Sequence, residues 1–235
     1  MSTTIPRFMV AAPSSGSGKT VVTCALLRAL ARRGLACAAF KCGPDYIDPL
    51  FHRRVVGARS GNLDGFFTDA PTLRALLARG AASADVAVLE GVMGFYDGMA
   101  PGVADASSYQ VARDTETPVV SGERARGGFI ARRRNPRHRR VPALCERARR
   151  RVERDERRCL RLRGACDREA HGRRGFGEYP RRRGVSLENR HLGLVTADEV
   201  EQLSARIDKM AELVEKTVDA TACSKQRRRH PISAR

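Results

Sequence analysis

The chain has 235 residues and a formal net charge of +18, and 42% of its residues are hydrophobic. This length suffices for one large domain or two small ones, and the hydrophobic fraction allows a buried core. Two patterns argue against a membrane or secreted protein: no apolar stretch could cross a bilayer, and the N-terminus lacks a signal-peptide pattern. The seven cysteines show neither CxxC pairs nor zinc spacing. We therefore expect a cytoplasmic protein with free thiols.

Strands and helices are predicted to alternate along the first 120 residues. The predicted strands, all short apolar runs, are 7–12, 35–40, 85–89 and one that begins at 117–120. The predicted helices are 19–33, which ends at Gly34, and 71–79, which has proline near its start. The segment 41–49 is rich in Gly, Pro and Asp and is predicted to be a loop.

This alternation indicates the fold class. Near-continuous apolar strands that alternate with helices are typical of an α/β fold, with a parallel sheet covered by helices on both faces. Ligands of such sheets bind at the carboxyl ends of the strands. We therefore expect the loops that follow the first three strands to meet at one edge of the sheet.

The first of these loops has the composition of a phosphate-binding loop. The predicted nucleotide-binding residues are Ser15, Gly16, Ser17, Gly18, Lys19 and Thr20. Small residues let backbone N–H groups point at phosphate oxygens, and the lysine neutralises the phosphate charge. The usual pattern has glycine five residues before Gly18, where this chain has Pro13, so the loop is a variant. The alternative is a Gly/Ser turn without function, but the strand–loop–helix context favours binding of ATP.

Charged residues in the next two loops are predicted to complete a magnesium site. Lys41, Asp45 and Asp48 follow the second strand, and Glu90 ends the third. Because Mg²⁺ takes one or two carboxylates together with phosphate oxygens, we predict Thr20, Asp48 and Glu90 as its ligands. Lys41 is predicted to stabilise the transferred phosphoryl group. Each residue alone could be a solvated loop charge, but convergence at one edge favours the site.

Several segments resemble one enzyme family. APSSGSGKT, KCGPDYIDPLFH, NLDGFF and EGVMGFYDG are similar to the N-terminal domain of the cobyrinic acid and hydrogenobyrinic acid a,c-diamide synthases, and LENRHLGLVTADEV at 187–200 resembles a later motif. The combination of KxGPDYIDP with EGVMGxYDG is specific, whereas the phosphate loop alone is not. The resemblance covers 7–120 and roughly 184–220. It implies the P-loop fold of dethiobiotin synthetase, a related enzyme.

The resemblance implies an ATP-dependent amidation in cobalamin biosynthesis. A carboxylate of the corrinoid would take the γ-phosphate, and ammonia would attack the acyl phosphate, at the c and then the a acetate side chain. The residues implied in phosphoryl transfer are Asp45 and Asp48, which join Lys41 as the predicted catalytic residues. Those implied near the substrate carboxylate are Tyr46, Tyr96 and Asp97. Residues 188–191 are implied near the nucleotide or the domain seam. In this family a C-terminal glutaminase domain supplies the ammonia, and we expect that domain to be absent here.

Nearly all of the positive charge lies in residues 121–183. This block has 23 arginines, no lysine and 8 acidic residues. It lacks an amphipathic repeat and matches nothing in the family pattern. Because GC-rich DNA read out of frame is rich in arginine codons, we interpret the block as out-of-frame text and expect it to be disordered, which leaves the activity of this copy open. The alternative is a genuine arginine-rich insertion that binds nucleic acid.

The expected organisation is a P-loop amidoligase domain over 1–120, the arginine-rich block over 121–183, a remnant of the first domain over 184–221 and a tail over 222–235. A homodimer is also considered. Other function classes compete with the amide synthase. The hypothesis of an arginine-rich nucleic-acid-binding protein is based on charge alone. A partition ATPase would have a further lysine near the start of the phosphate loop, and residues 11–17 contain none. A cobyric acid synthase is disfavoured by the YIDP loop.

Overall fold

The computed structural model describes residues 5–100, 103–125, 128–134, 175–180 and 197–217. The predictions on 188–191 and on the tail 222–235 lie outside these residues, as does most of the arginine-rich block. Within the described residues, none of the helices has the length and apolar character needed to cross a bilayer.

Seven strands form a single sheet in the order β3-β2-β4-β1-β5-β6-β7. Their bounds are β1 Arg7–Ala11, β2 Cys37–Cys42, β3 Arg59–Leu63, β4 Val86–Glu90, β5 Val119–Ala125, β6 Gly128–Arg134 and β7 Gly175–Pro180. The first five strands pair in parallel with one another, in the order β3-β2-β4-β1-β5. The predicted parallel α/β sheet is therefore confirmed for these five strands.

Helices lie between the strands and on both faces of the sheet. Their bounds are α1 Lys19–Arg32, α2 Ile47–Phe51, α3 Ala70–Gly80, α4 Ser108–Asp114 and α5 Ala197–Thr217, and a π-turn over His52–Val56 follows α2. Alternate residues of β1 face opposite sides: Phe8 and Val10 lie in the core beneath α1, whereas Met9 packs with Leu73 of α3. Both faces are therefore buried, as a parallel sheet requires.

Helix α5 completes the core on the α1 side. Its buried residues Ile207, Met210, Ala211 and Val214 share one face of the helix and pack in the same cluster as α1. The guanidinium group of Arg28 in α1 donates to both carboxylate oxygens of Asp208, at 2.7 and 3.0 Å. The helix therefore contributes to the same core as the phosphate loop helix, although the two are far apart in sequence.

Two additional strands lie inside the arginine-rich block. β6 pairs antiparallel with β5, and β7 pairs antiparallel with β6. The expected disorder is therefore not seen in 121–125, 128–134 and 175–180, which are extended and paired in the sheet. Such pairing uses backbone N–H and C=O groups, so it does not depend on the side chains of these segments. The out-of-frame interpretation of the block itself stays a prediction.

Other elements differ from the predicted ones. β2 begins and ends two residues later than expected, because Lys41 extends the strand: its charge is neutralised inside the protein instead of ending the apolar run. β3 has the sequence RSGNL, in which only Leu63 is a buried apolar side chain, so no strand pattern is visible. α2 begins inside the predicted loop and contains Pro49 in its first turn, where a missing N–H needs no partner.

Candidate functional site

The loop between β1 and α1 is shaped by two glycines in the left-handed conformation. Gly16 has φ 68° and Gly18 has φ 85°, values that glycine adopts without steric strain. Gly18 is the N-cap of α1, so the loop ends at the helix terminus that favours anions. The buried Ser17 donates its hydroxyl to the carbonyl of Ser14 at 2.9 Å, which closes the loop on itself, whereas Ser15 is exposed.

Lys19 connects this phosphate loop to the loop that follows β4. Its Nζ atom donates to the carbonyl of Ser14 at 3.1 Å and to that of Met93 at 2.5 Å. Met93 has φ 48°, a conformation that is uncommon for residues other than glycine and concentrates at functional sites. Burial and then the charge of Lys41 lower the pKa of Lys19. Phosphate oxygens would be stronger acceptors for this ammonium group than neutral carbonyls.

Three buried charged residues meet beside the phosphate loop. Lys41 and Glu90 are register partners on β2 and β4. The Nζ atom of Lys41 lies 2.7 Å from Oε1 of Glu90 and 2.5 Å from Oδ2 of Asp48. Thr20, in the first turn of α1, donates its hydroxyl to the same Oε1 at 2.6 Å. The structure therefore brings together the predicted metal ligands and the predicted phosphoryl-stabilising lysine.

The two carboxylates of this cluster have pKa values shifted in opposite directions. Burial by itself would raise the pKa of Glu90. The charge of Lys41 and the contact with His52 have the larger effect and hold the Glu90 pKa well below its ordinary value. Burial likewise opposes the charge of Lys41, but Glu90 and Asp48 raise the Lys41 pKa. Burial and then the charge of Glu90 raise the pKa of Asp48 to about 6. Asp48 is therefore the member of this cluster that titrates just below neutral pH.

Replacing Asp48 with asparagine is expected to stabilise the fold at pH 8, by on the order of 1 kcal/mol. An acid whose folded-state pKa lies above its unfolded value is neutral in both states at low pH, and its ionisation penalises the folded state increasingly as the pH rises from about 4 to about 6. The extra stability of Asp48→Asn relative to the wild type should therefore be fully present above pH 6 and decrease toward pH 4.

Urea denaturation of the wild type and Asp48→Asn at several pH values would measure this difference. The exposed carboxylate of Asp105 provides the control, because Asp105→Asn should change stability little at any pH. A stability difference between wild type and Asp48→Asn that is the same at pH 5 and pH 8 would contradict the expectation.

Asp45 and Tyr46 occupy a different position from the charged cluster. The Asp45 carboxylate accepts hydrogen bonds from the backbone N–H of Ile47 at 2.9 Å and of Asp48 at 3.3 Å. This contact starts α2 and thereby helps to place Asp48. Tyr46 is 76% exposed. The structure gives Asp45 a turn-forming contact, and its predicted part in phosphoryl transfer stays a prediction.

The loop after β4 packs closely on the phosphate loop. The Asp97 carboxylate accepts the N–H of Gly94 at 2.8 Å, and a Cβ atom on Gly94 would lie 2.5 Å from the carbonyl oxygen of Pro13. Only glycine permits this approach of the two backbones. The Tyr96 ring packs against that of Tyr109, with centroids 5.2 Å apart. The predicted substrate residues Tyr96 and Asp97 are thus carried by a loop that adjoins the phosphate loop.

Two residues of this site are absent from the predicted set. His52 is fully buried, and its Nε2 atom lies 3.2 Å from Oε2 of Glu90. The spacing of four residues between Asp48 and His52 is a signal that could have indicated a shared helix face. Met93 contributes a backbone carbonyl, for which the side chain gives no sequence signal.

The donor atoms of the cluster fit a hard cation. The Thr20 hydroxyl and the carboxylates of Asp48 and Glu90 are oxygen donors of the kind that Mg²⁺ prefers, and the Thr20 hydroxyl lies 2.6 Å from Oε1 of Glu90. Among the described residues, no three His, Cys, Asp or Glu residues are grouped closely enough to hold a metal ion by themselves.

Comparison with known families identifies the family of this chain. The model of the CobQ/CobB/MinD/ParA nucleotide binding domain matches residues 8–224. The chain belongs to this family. The family is named for nucleotide binding, and the loop between β1 and α1 lies within the matched residues. The matched range also includes the arginine-rich block.

Curated relatives narrow the comparison within the family. The chain is 42% identical over 222 residues to hydrogenobyrinate a,c-diamide synthase of Rhodobacter capsulatus, covering 91% of this chain and 49% of the relative. It is 34% identical over 224 residues to cobyrinate a,c-diamide synthase of Listeria innocua, covering 91% and 48%. A match to hydrogenobyrinate a,c-diamide synthase of Streptomyces coelicolor is 48% identical over 116 residues, covering 49% and 24%.

These relatives confirm the resemblance seen in the four motifs. Their names favour the amide synthases over the partition ATPases within the family, and they give no support to the nucleic-acid-binding alternative. The chain spans about half the length of the two relatives that match 91% of it.

Proposed function

We propose that this chain is the ATP-dependent half of an amide synthase that acts on the a and c acetate side chains of cobyrinate or hydrogenobyrinate. The observation that supports this most strongly is the buried contact of Lys41 with Glu90 and Asp48, directly beside the phosphate loop. A phosphate loop alone would fit any ATPase. A buried lysine bridging two carboxylates at the same edge fits transfer of a phosphoryl group to an acceptor.

Nucleotide binding begins at Lys19. Its ammonium group exchanges the carbonyls of Ser14 and Met93 for phosphate oxygens, and the backbone N–H groups around Gly16 and Gly18 bind the same phosphates. Thr20, Asp48 and Glu90 would hold Mg²⁺. When bound, this ion neutralises phosphate charge and orients the γ-phosphate.

The chemical steps use the cation at Lys41. A substrate carboxylate oxygen attacks the γ-phosphorus and ADP leaves, which forms an acyl phosphate. Ammonia then attacks the acyl carbon, phosphate leaves, and the nitrogen loses a proton. Lys41 stabilises the transferred charge because Glu90 and Asp48 keep it protonated and fixed in place. The loop with Tyr96 and Asp97, together with Tyr46, would contact the corrinoid.

Amidation by the full 235-residue chain would test this function. The chain is incubated with cobyrinate or hydrogenobyrinate, Mg-ATP and an ammonium salt at pH 8, and the products are measured by mass spectrometry and by ADP release. We expect one ADP for each amide formed. ADP release that does not depend on the corrinoid, without any amide, would contradict the proposal.

Asp48→Asn provides the matched variant for this assay. It keeps the shape of the side chain and removes its charge, so it should still bind ATP while the turnover number falls about 100-fold, as expected for loss of a preorganised charge. Asp105→Asn, in an exposed loop, should amidate like the wild type. An unchanged turnover number in Asp48→Asn would exclude the catalytic role of this carboxylate.

A further inference from the structure

His52 is a buried polar residue for which the proposed chemistry has no role. Its side chain is fully buried, and neither ring nitrogen has a hydrogen-bond partner among the described residues. Burial of an unpartnered polar group is unfavourable, so such a group in a folded protein usually has a function. Its Nε2 atom lies 3.2 Å from Oε2 of Glu90 without forming a hydrogen bond with it.

The two carboxylate oxygens of Glu90 have different surroundings. Oε1 faces the phosphate loop and accepts from Thr20 at 2.6 Å and from Lys41 at 2.7 Å. Oε2 faces His52, and both side chains are 0% exposed. The carboxylate therefore has a side toward the nucleotide and a side toward the protein interior, and rotation about its last bond would exchange them.

The backbone around His52 places it together with Asp48. The N–H of His52 donates to the carbonyl of Asp48, so the two residues are one helical turn apart on the same face. His52 then begins the π-turn His52–Val56, and the N–H of Ala58 donates to its carbonyl at 3.1 Å. π-turns are rare and are found frequently at functional sites. One irregular helical segment thus presents a carboxylate to Lys41 and an imidazole to Glu90.

We propose that His52 is a positioning residue that holds Oε2 of Glu90 and thereby fixes Oε1 toward Thr20 and the bound magnesium ion. A carboxylate at Oε2 requires a donor, so the proton of the imidazole is at Nε2. The physical reason is that partners behind a metal-binding carboxylate orient it, and their loss typically reduces metal affinity or activity 10- to 100-fold. This inference rests on the magnesium–nucleotide site proposed above.

Two amide variants separate positioning from simple packing. The amide nitrogen of glutamine reaches about as far as Nε2 of histidine, whereas that of asparagine reaches only as far as Nδ1. His52→Gln should therefore keep the contact with Glu90, and His52→Asn should lose it. Both variants bury a polar amide of similar chemistry, so a purely structural effect would appear in both.

Calorimetric titration of the full chain with ADP, once in EDTA and once in saturating Mg²⁺, measures how strongly the metal and the nucleotide are coupled. We expect His52→Asn to lower this Mg²⁺-dependent gain in ADP affinity about 10-fold, and His52→Gln to stay within about threefold of the wild type. The affinity for ADP in EDTA should be unchanged in both variants. The electron paramagnetic resonance spectrum of bound Mn²⁺ with ADP should broaden only in His52→Asn.

Equal Mg²⁺ coupling in the two variants would overturn the positioning role. Loss of folding in both variants would also overturn it, because His52 would then act only in packing. A wild-type chain that binds no ADP in either condition would instead contradict the proposed nucleotide site. The failure of this inference and the failure of the proposed function therefore give different results.

Discussion

Replacing Lys19 with alanine is expected to weaken the binding of Mg-ATP by about 10- to 100-fold. Lys19 is the cation of the phosphate loop, and its Nζ atom is already held between that loop and the loop after β4. A hydrogen bond to a charged group contributes roughly 1.5–3 kcal/mol, and about 1.4 kcal/mol corresponds to a tenfold change in affinity. Calorimetric titration with Mg-ATP would measure the loss.

The control for this variant is Lys216→Ala, which removes an exposed lysine at the end of α5. It should bind Mg-ATP like the wild type, and Lys19→Ala should keep its circular dichroism spectrum. Equal affinity of Lys19→Ala and Lys216→Ala for Mg-ATP would exclude the loop between β1 and α1 as the nucleotide site.

Replacing Lys41 with methionine is expected to destabilise the fold by about 3–5 kcal/mol at pH 8. Methionine fills the volume of the lysine stem but leaves the buried carboxylates of Glu90 and Asp48 without the cation that lies within 2.7 Å of both. Removing one partner of a buried ion pair costs far more stability than the intact pair contributes, because the remaining charge stays buried away from water. Urea denaturation would measure the change.

A double variant tests whether the unpaired carboxylates cause the loss of stability in Lys41→Met. In Lys41→Met with Asp48→Asn, one of the two uncompensated charges is gone, so part of the lost stability should return. Lys209→Met, at an exposed position of α5, should change stability by less than about 0.5 kcal/mol. A double variant that is less stable than Lys41→Met alone would show that the charges of Asp48 and Glu90 are not the cause.

The parallel half of the fold follows from patterns that are local in sequence. β1, α1, α3 and β4 have apolar runs or helical spacing with clear ends, such as the left-handed Gly34 after α1 and the N-cap Asp69 before α3, which accepts from Thr72 at 2.9 Å. The loops after parallel strands meet at one edge for geometric reasons, so the proximity of Lys41, Asp48 and Glu90 could be predicted without any long-range information.

Other features depend on contacts that the sequence pattern does not express. β2 continues through Lys41 because Glu90 lies opposite it on β4, a register that cannot be known before the sheet is formed. His52 is buried because the segment after α2 is a π-turn, and π-turns have no reliable sequence pattern. Met93 acts through its carbonyl, so its side chain gives no indication of the contact with Lys19.

The order of the strands has a consequence for the growing polypeptide. β1 lies between β4 and β5, and all five of its residues are buried. On a ribosome that adds about 5–20 residues per second, β1 waits roughly 4 to 15 s before its partner in Val86–Glu90 has even been made. During this interval an apolar strand of the sheet has neither neighbour and is an exposed edge that other chains could pair with. The segment that leads directly into the phosphate loop is thus exposed to aggregation during synthesis.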